Sequence, residues 1–276
     1  MVVGQFKIGA VIQARLGSTR LPNKVMMPLP FGSKQSIISH VINGIKKVSE
    51  ITNITVATSR SLINDDLEAH VNTLKVDCYR GSEHDVLSRF YEIVKKYEFD
   101  YVIRFTADNP IIDCLLLKEF MRNFISNDLD YSYSNNLPIG CNFEMMKSTE
   151  IIQAYENTED IFDKEHVTPY IKRSAKRIEY YTFKNIQLNN NLRLTIDYPS
   201  DYALMTMIYS ILKNKPKSLK NILNIVEKNS WILNINKDNF QKKNFLNIKE
   251  EIQAITPILK ERELKRLDKL LNEISL

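Results

Sequence analysis

A short apolar run, Ile8-Gly-Ala-Val-Ile-Gln13, breaks into a polar and basic stretch over residues 14–24 that contains Gly17, Ser18 and Pro22. This change of pattern predicts a buried strand that opens into a long loop. From Ser36 onward the apolar positions Ile37, Ile38, Val41, Ile42, Ile45 and Val48 recur at helical spacing, and the β-branched run Ile54-Thr-Val-Ala-Thr58 follows. Strand, helix and strand therefore come in succession. Helices are predicted over about 65–74 and 84–97, the second with Val86, Leu87, Phe90, Ile93 and Val94 on one face. Tyr101-Val-Ile-Arg-Phe-Thr106 supplies another strand, and Asp113 reads as the N-cap of a helix reaching about Ile125. Alternating strands and helices imply an α/β chain with a mainly parallel sheet covered on both faces. Ligands of such sheets sit beyond the carboxyl ends of the strands, where the 15–24 loop and Asp108 both fall.

The pattern changes after Asp130. Short β-like pieces near 131–134, 142–146, 178–183 and 192–196 alternate with helical ones, without a Gly/Ser/Pro-rich linker on either side. We read about 130–190 as a small inserted β-rich subdomain on the same scaffold. Two further helices are predicted near 201–212 and 219–228. Residues 236–276 form a basic helical extension that Pro257 divides, with Leu267, Leu270, Leu271 and Ile274 as an apolar stripe.

Composition narrows this picture. With 276 residues, 43% of them hydrophobic, the chain can bury a core without covalent staples. Cys78, Cys114 and Cys141 are odd in number and widely spaced, with no Cys-x-x-Cys pair, so a reducing cytoplasm fits best. No secretion signal is visible near the start, and no apolar run approaches the roughly 20 residues of a membrane span. The net charge of +5 is unevenly spread, since residues 1–209 carry 24 basic and 25 acidic side chains while 210–276 carry 14 and 8. A working domain this close to neutral disfavours nucleic acid as a partner.

The 13–24 segment is the most informative. It sets Arg15, Arg20 and Lys24, the hydroxyls of Ser18 and Thr19 and a small-residue turn directly after a buried strand. A triphosphate requires that combination, because backbone N–H groups approach only where side chains are small and several oxygens must be neutralised at once. Neither the Gly-x-x-x-x-Gly-Lys-Ser/Thr loop nor the Gly-x-Gly-x-x-Gly fingerprint is present. Any one of these cations alone reads as a solvated loop charge; the three together favour the phosphate reading.

Ala10-Val-Ile-Gln-Ala-Arg-Leu-Gly-Ser-Thr-Arg-Leu-Pro-Asn-Lys24 resembles the opening signature of the cytidylyltransferase family that activates acidic sugars, with the spore-coat polysaccharide branch the nearest. Arg80-Gly-Ser-Glu-His-Asp-Val-Leu-Ser-Arg89, Arg104-Phe-Thr-Ala-Asp-Asn-Pro110, Glu165-His-Val-Thr-Pro169 and Arg193-Leu-Thr-Ile-Asp-Tyr-Pro-Ser-Asp201 follow in the same order, so the resemblance covers roughly residues 8–235. It implies a three-layer α/β/α nucleotide-binding fold, with residues 1–235 as the nucleotidyltransferase domain and the inserted part serving the acceptor and dimerisation. It implies an enzyme that joins CMP from CTP to a sugar acid of the nonulosonic type, releasing pyrophosphate, for surface polysaccharide or glycan synthesis.

By the same resemblance Arg15, Ser18, Arg20 and Lys24 hold the triphosphate, and Arg15, Lys24, Asp108 and Asp197 form the catalytic set. Asp108 and Asp197 ligate Mg²⁺, the expected cofactor. Gln13, Thr58, Arg89 and Thr106 line the base and ribose, and Glu144, His166 and Arg193 serve the acceptor. A homodimer without nucleic-acid or membrane partners is implied. Some of these residues carry plainer readings too: Arg89 as a partly buried structural arginine, His166 as a packing residue, and Asp201 as a charge at a helix start. Two departures from the family pattern stand out. Asn23 replaces a usual glycine, which Asn tolerates well, and Pro138-Ile-Gly140 lacks a carboxylate common in the acceptor region.

Two rival readings compete. Asp128-Leu-Asp130 matches the Asp-x-Asp of nucleotide-sugar glycosyltransferases, but it precedes a predicted strand instead of following one, which suits a solvated turn. A non-catalytic binding protein on a decayed scaffold is the other, and the joint presence of Arg15, Lys24, Asp108 and Asp197 argues against it. A nucleotidyltransferase using another triphosphate or a sugar-phosphate acceptor also remains open at this point.

Overall fold

Among the residues described by the computed structural model (6–186, 192–239, 248–261 and 263–274), seven strands form one sheet. They are β1 (Ile8–Gln13), β2 (Asn53–Ser59), β3 (Asp77–Gly81), β4 (Tyr101–Thr106), β5 (Tyr131–Ser134), β6 (Glu144–Lys147) and β7 (Ile178–Tyr181), in the order β3-β2-β1-β4-β6-β5-β7. Of these, β6 alone runs against the rest, pairing antiparallel with both β4 and β5. The chain winds outward from β1 through β2 to β3, then returns to place β4 on the other side of β1. That reversal leaves a crevice at the carboxyl ends of β1 and β4, where doubly wound sheets take their ligands.

Helices cover both faces. On one face α1 (Ile37–Ile45), α2 (Asp65–Thr73), α4 (Cys114–Ser126), α8 (Pro199–Leu212) and α9 (Leu219–Lys228) share a core with Ile8, Ala10 and Ile12 of β1. On the other, α3 (Val86–Tyr97), α5 (Ser148–Asn157) and α7 (Pro169–Ser174) pack on Val11, Ala57, Val102 and Met146. Strand alternation sends Val11 one way and Ala10 and Ile12 the other, and for this reason β1 must be apolar throughout. The helix starts follow their capping residues. Ser36 accepts from the Ser39 N–H and Asp85 from the Ser88 N–H. Asp113 accepts from Leu115 and Leu116 with one oxygen and from the Leu219 N–H, at 2.9 Å, with the other, so a single carboxylate orders two helix starts.

The strand pieces expected after residue 130 meet different outcomes. The 130–190 segment is continuous with the main sheet: β5, β6 and β7 extend it beyond β4, and α5, α6 (Ile161–His166) and α7 lie between those strands in sequence. Residues 192–196 form no strand, although Leu192, Leu194 and Ile196 alternate as one would. The intervening Arg193 and Thr195 are buried as well, and the backbone spends its hydrogen bonds on loops: Leu194 N–H donates to the Ile139 carbonyl (2.7 Å) and Ile196 N–H to the Asp108 carbonyl (3.0 Å). The segment is threaded between loops, which binds residue 196 to residue 108.

Gly140 sits against that thread. Its φ is +95°, and a Cβ added there would lie 2.3 Å from the Thr195 nitrogen. Gly140→Ala is therefore expected to destabilise the fold by about 2–3 kcal/mol through backbone overlap and a disfavoured φ, read as a lower thermal unfolding midpoint. An unchanged midpoint would show that the 139–141 turn yields without cost.

By compactness the chain divides into Met1–Asp238 and Asn239–Leu276. The second unit holds α10 (Ile248–Glu261) and α11 (Lys265–Ile274). Pro257 lies inside α10 and does not divide the tail there; the helix continues past it with one backbone hydrogen bond forgone. Among the described residues no helix is long and apolar enough to cross a membrane.

Candidate active site

The loop after β1 is shaped by buried anchors. Ala14 donates its N–H to the Ala57 carbonyl at 3.1 Å. Leu16 is buried, and its N–H donates to Asn64 Oδ1 at 3.0 Å, while Asn64 Nδ2 in turn donates to Ser59 Oγ at 2.8 Å. Between and beyond these anchors Arg15, Gly17, Thr19 and Arg20 face outward and Ser18 is half-buried. Asn23 then takes a left-handed conformation (φ 54°), which Asn adopts more readily than other side-chain-bearing residues, and a tight turn over Lys24–Met26 swings the next side chain inward. Lys24 is consequently only 8% exposed.

Its ammonium lies 2.6 Å from Asp108 Oδ2 and 2.7 Å from Asp197 Oδ1. Asp108 projects from the loop after β4, and the Thr106 hydroxyl donates to its other oxygen at 2.5 Å. Asp197 precedes α8 and also meets Arg20 Nη2 at 3.1 Å and Arg193 Nη2 at 2.8 Å. Burial alone would push the Lys24 ammonium down, but the two carboxylates outweigh it and hold the pKa above the ordinary lysine value. Burial would likewise raise Asp197, and Lys24, Arg20 and Arg193 together hold it below the ordinary carboxylate value.

A second layer holds the first. Arg193 Nε donates to Asp201 Oδ1 at 3.2 Å, and Asp201 is fully buried in the first turn of α8. Asp201 Oδ2 accepts the N–H groups of Asp197 and Tyr198, each at 3.0 Å, and Asn236 Nδ2 donates to its Oδ1 at 2.8 Å. Asp201 thus clamps the turn that carries Asp197. Tyr198 places its ring 4.7 Å below the Arg20 guanidinium and accepts from Arg20 Nη1 at 3.1 Å. Asn236 carried no sequence signal, because its value lies wholly in contacts made far along the chain.

The remaining candidates disperse around this centre. Gln13 Oε1 accepts from Arg104 Nη2 at 3.1 Å. Glu144, 5% exposed on β6, faces Arg104 across the ladder and takes its Nη1 at 2.8 Å. Burial would raise the Glu144 carboxyl, but Arg104, Lys172 and the Tyr131 hydroxyl bring it down to about 2. Arg89 is 3% exposed, and its Nε and Nη2 donate to the carbonyls of Ser82 (2.6 Å) and Glu83 (2.9 Å), so it orders the turn before α3. Burial and the charge of Arg15 hold this guanidinium below the ordinary arginine value. Thr58 is wholly buried with its hydroxyl unpartnered. His166 closes α6 with its ring 4.5 Å from Phe162, and Val167 follows at φ 71°, a disfavoured turn for a β-branched residue.

Asp128 and Asp130 are occupied elsewhere. Both pair with Lys147 and Arg177 at the amino end of β5, the sheet edge opposite the carboxyl ends of β1 and β4. Asp108 and Asp197 are a hard-oxygen pair that fits Mg²⁺, which binds through one or two carboxylates and completes its octahedral shell with phosphate oxygens and water. No cluster of three or more potential metal-ligating His, Cys, Asp or Glu side chains occurs among the described residues, so a bound ion would depend on the triphosphate for its remaining ligands.

Comparison with known proteins bears on this arrangement. A family profile described as Cytidylyltransferase matches residues 10–265. The spore coat polysaccharide biosynthesis protein SpsF of Bacillus subtilis is 32% identical over 225 residues, 79% of this chain and 93% of that protein. A 3-deoxy-manno-octulosonate cytidylyltransferase of Francisella tularensis subsp. novicida is 26% identical over 185 residues, 66% and 69% of the two chains. Among solved structures, a cytidylyltransferase from Leptospira borgpetersenii superposes with a TM-score of 0.76 at 25% identity, covering 87% of this chain and 100% of that one.

Proposed function

From the premise that this chain belongs to the cytidylyltransferase family, we propose that it transfers CMP from CTP to a hydroxyl of a sugar acid of the nonulosonic type, releasing pyrophosphate. The observation that carries this reading is Lys24 held between Asp108 and Asp197 at the sheet's crevice, with Arg15 and Arg20 on the same loop. In the reaction the acceptor oxygen bonds to the α-phosphorus and the bond from that phosphorus to the bridging oxygen breaks. Pyrophosphate leaves with the electron pair, and the hydroxyl proton passes to water. Negative charge grows on the α-phosphoryl oxygens and on the leaving group, where Arg15, Arg20 and Lys24 stabilise it. Ser18 and the backbone of the 16–19 turn orient the phosphates. Asp108 and Asp197 would hold Mg²⁺, which would offset phosphate charge and acidify the attacking hydroxyl. Thr106, Arg193 and Asp201 keep those carboxylates aimed.

The acidic class of the acceptor is supported by the 3-deoxy-manno-octulosonate enzyme among the relatives, and a role in surface polysaccharide synthesis by the spore-coat one. The glycosyltransferase alternative loses its motif, since Asp128 and Asp130 are spent on Lys147 and Arg177. A pyrophosphate-release assay with four nucleoside triphosphates against sugar acids, neutral sugars and sugar phosphates tests the reading. Release is expected with CTP and a sugar acid. Consumption of a preformed nucleotide sugar, with no release from any triphosphate, would sink it.

A further inference from the structure

The side chains beside Gln13 hold an unbalanced charge. Glu144 is the single carboxylate of a cluster that contains two cations, Arg104 at 2.8 Å and Lys172 at 3.3 Å. The Glu144 pair with Arg104 is the shorter one, and the Tyr131 hydroxyl also donates to this carboxylate. Lys172, on α7, makes the longer contact and keeps 37% of its side chain exposed. One positive charge therefore remains for an outside anion. Arg104 Nε is buried without a hydrogen-bond partner, a second sign that the cluster is incomplete as it stands.

Its position matters as much as its charge. Arg104 and Thr106 lie two residues apart on β4 and so share one face of the sheet. Thr106 holds Asp108, and Arg104 holds Gln13 at the root of the phosphate loop. Lys172 thus stands over the sheet face that carries Arg104, Thr106 and Gln13, displaced toward β6. The half-buried ring of Tyr133 lies 5.5 Å from its ammonium and adds an aromatic surface. A cation beside an aromatic face suits a sugar acid, whose carboxylate takes the charge while the C–H face of its ring lies on the aromatic surface.

We infer that Lys172 is the acceptor-selecting residue: its ammonium binds the carboxylate of the sugar acid, and the Tyr133 ring carries the sugar's apolar face. This rests on the transfer reading above. A neutral sugar leaves the surplus charge unanswered, so selection comes from the group that only an acid provides. Arg104 and Glu144 act through Lys172 and Gln13 as positioning residues.

The test compares the unaltered protein with Lys172→Met and Lys172→Arg, using CTP with 3-deoxy-manno-octulosonate and other sugar acids, and then the carboxamide of whichever acid is turned over best. Lys172→Met is expected to raise the acceptor KM by about tenfold or more, to leave the CTP KM within about twofold, and to erase the preference for acid over carboxamide. Lys172→Arg, which keeps the charge, is expected to restore most of that preference. An unchanged acceptor KM in Lys172→Met overturns the role of Lys172 and leaves the transfer reading standing. Pyrophosphate release from no sugar acid by the unaltered protein overturns both.

Discussion

Replacing Lys24 by methionine is expected to lower kcat/KM for pyrophosphate release by about 10²–10³-fold, the usual cost of removing one preorganised stabiliser of transition-state charge. Methionine preserves the length and apolar stem of the side chain, so the fold is retained. What disappears is the ammonium that touches both Asp108 and Asp197. Asp197 keeps Arg20 and Arg193, whereas Asp108 loses its ion pair and retains the Thr106 hydroxyl. Lys24→Arg is not expected to rescue activity, because a planar guanidinium is too broad for a buried slot between two carboxylates 2.6 and 2.7 Å from a single nitrogen. Steady-state kinetics with far-ultraviolet circular dichroism as the folding control provides the check. Unimpaired turnover in folded Lys24→Met would remove this lysine from the chemistry.

The second large effect concerns stability. Glu144→Gln leaves Arg104 and Lys172 without their counter-charge in a largely enclosed site and is expected to cost about 3–5 kcal/mol at neutral pH. The pH dependence has a definite sign. The folded-state carboxyl lies at about 2, below its ordinary value of 4.5, so its contribution is present above the ordinary value and is lost as pH falls toward 2. The gap between the unaltered protein and Glu144→Gln in urea unfolding should therefore be full at pH 7 and shrink steadily between about pH 5 and pH 2. A gap independent of pH would mean that the carboxylate charge contributes nothing, and that Gln simply packs less well.

The fold was legible because its signals are local. The apolar β1, the helical spacing of α1, the face of α3 and the cap Asp113 each act within a few residues. Asp113 shows the limit of such signals: its cap of α4 can be read from the chain, but its hold on the Leu219 N–H joins residues 106 apart. The 192–196 run illustrates the opposite failure. Alternating apolar residues imply a strand, but Arg193 and Thr195 are also enclosed, and the backbone bonds to residues 139 and 108 in place of a ladder. At Pro257 the usual breaker failed to end a helix.

The chemistry divides along the same line. By itself the sequence determined the α/β class, the strand-loop junction and the kinds of groups present, three cations on one loop and two aspartates after separate apolar runs. Those depend on periodicity and side-chain chemistry, which act over short stretches. Only the tertiary structure decided how they are used. It placed Lys24 between Asp108 and Asp197, gave Asp201 the work of clamping a turn, and paired the buried Glu144 with Arg104. It also brought Lys172 to the same face as Gln13. Each of these is a charge pairing across strands and loops distant in sequence, and burial, which no local pattern encodes, fixes which charges must meet.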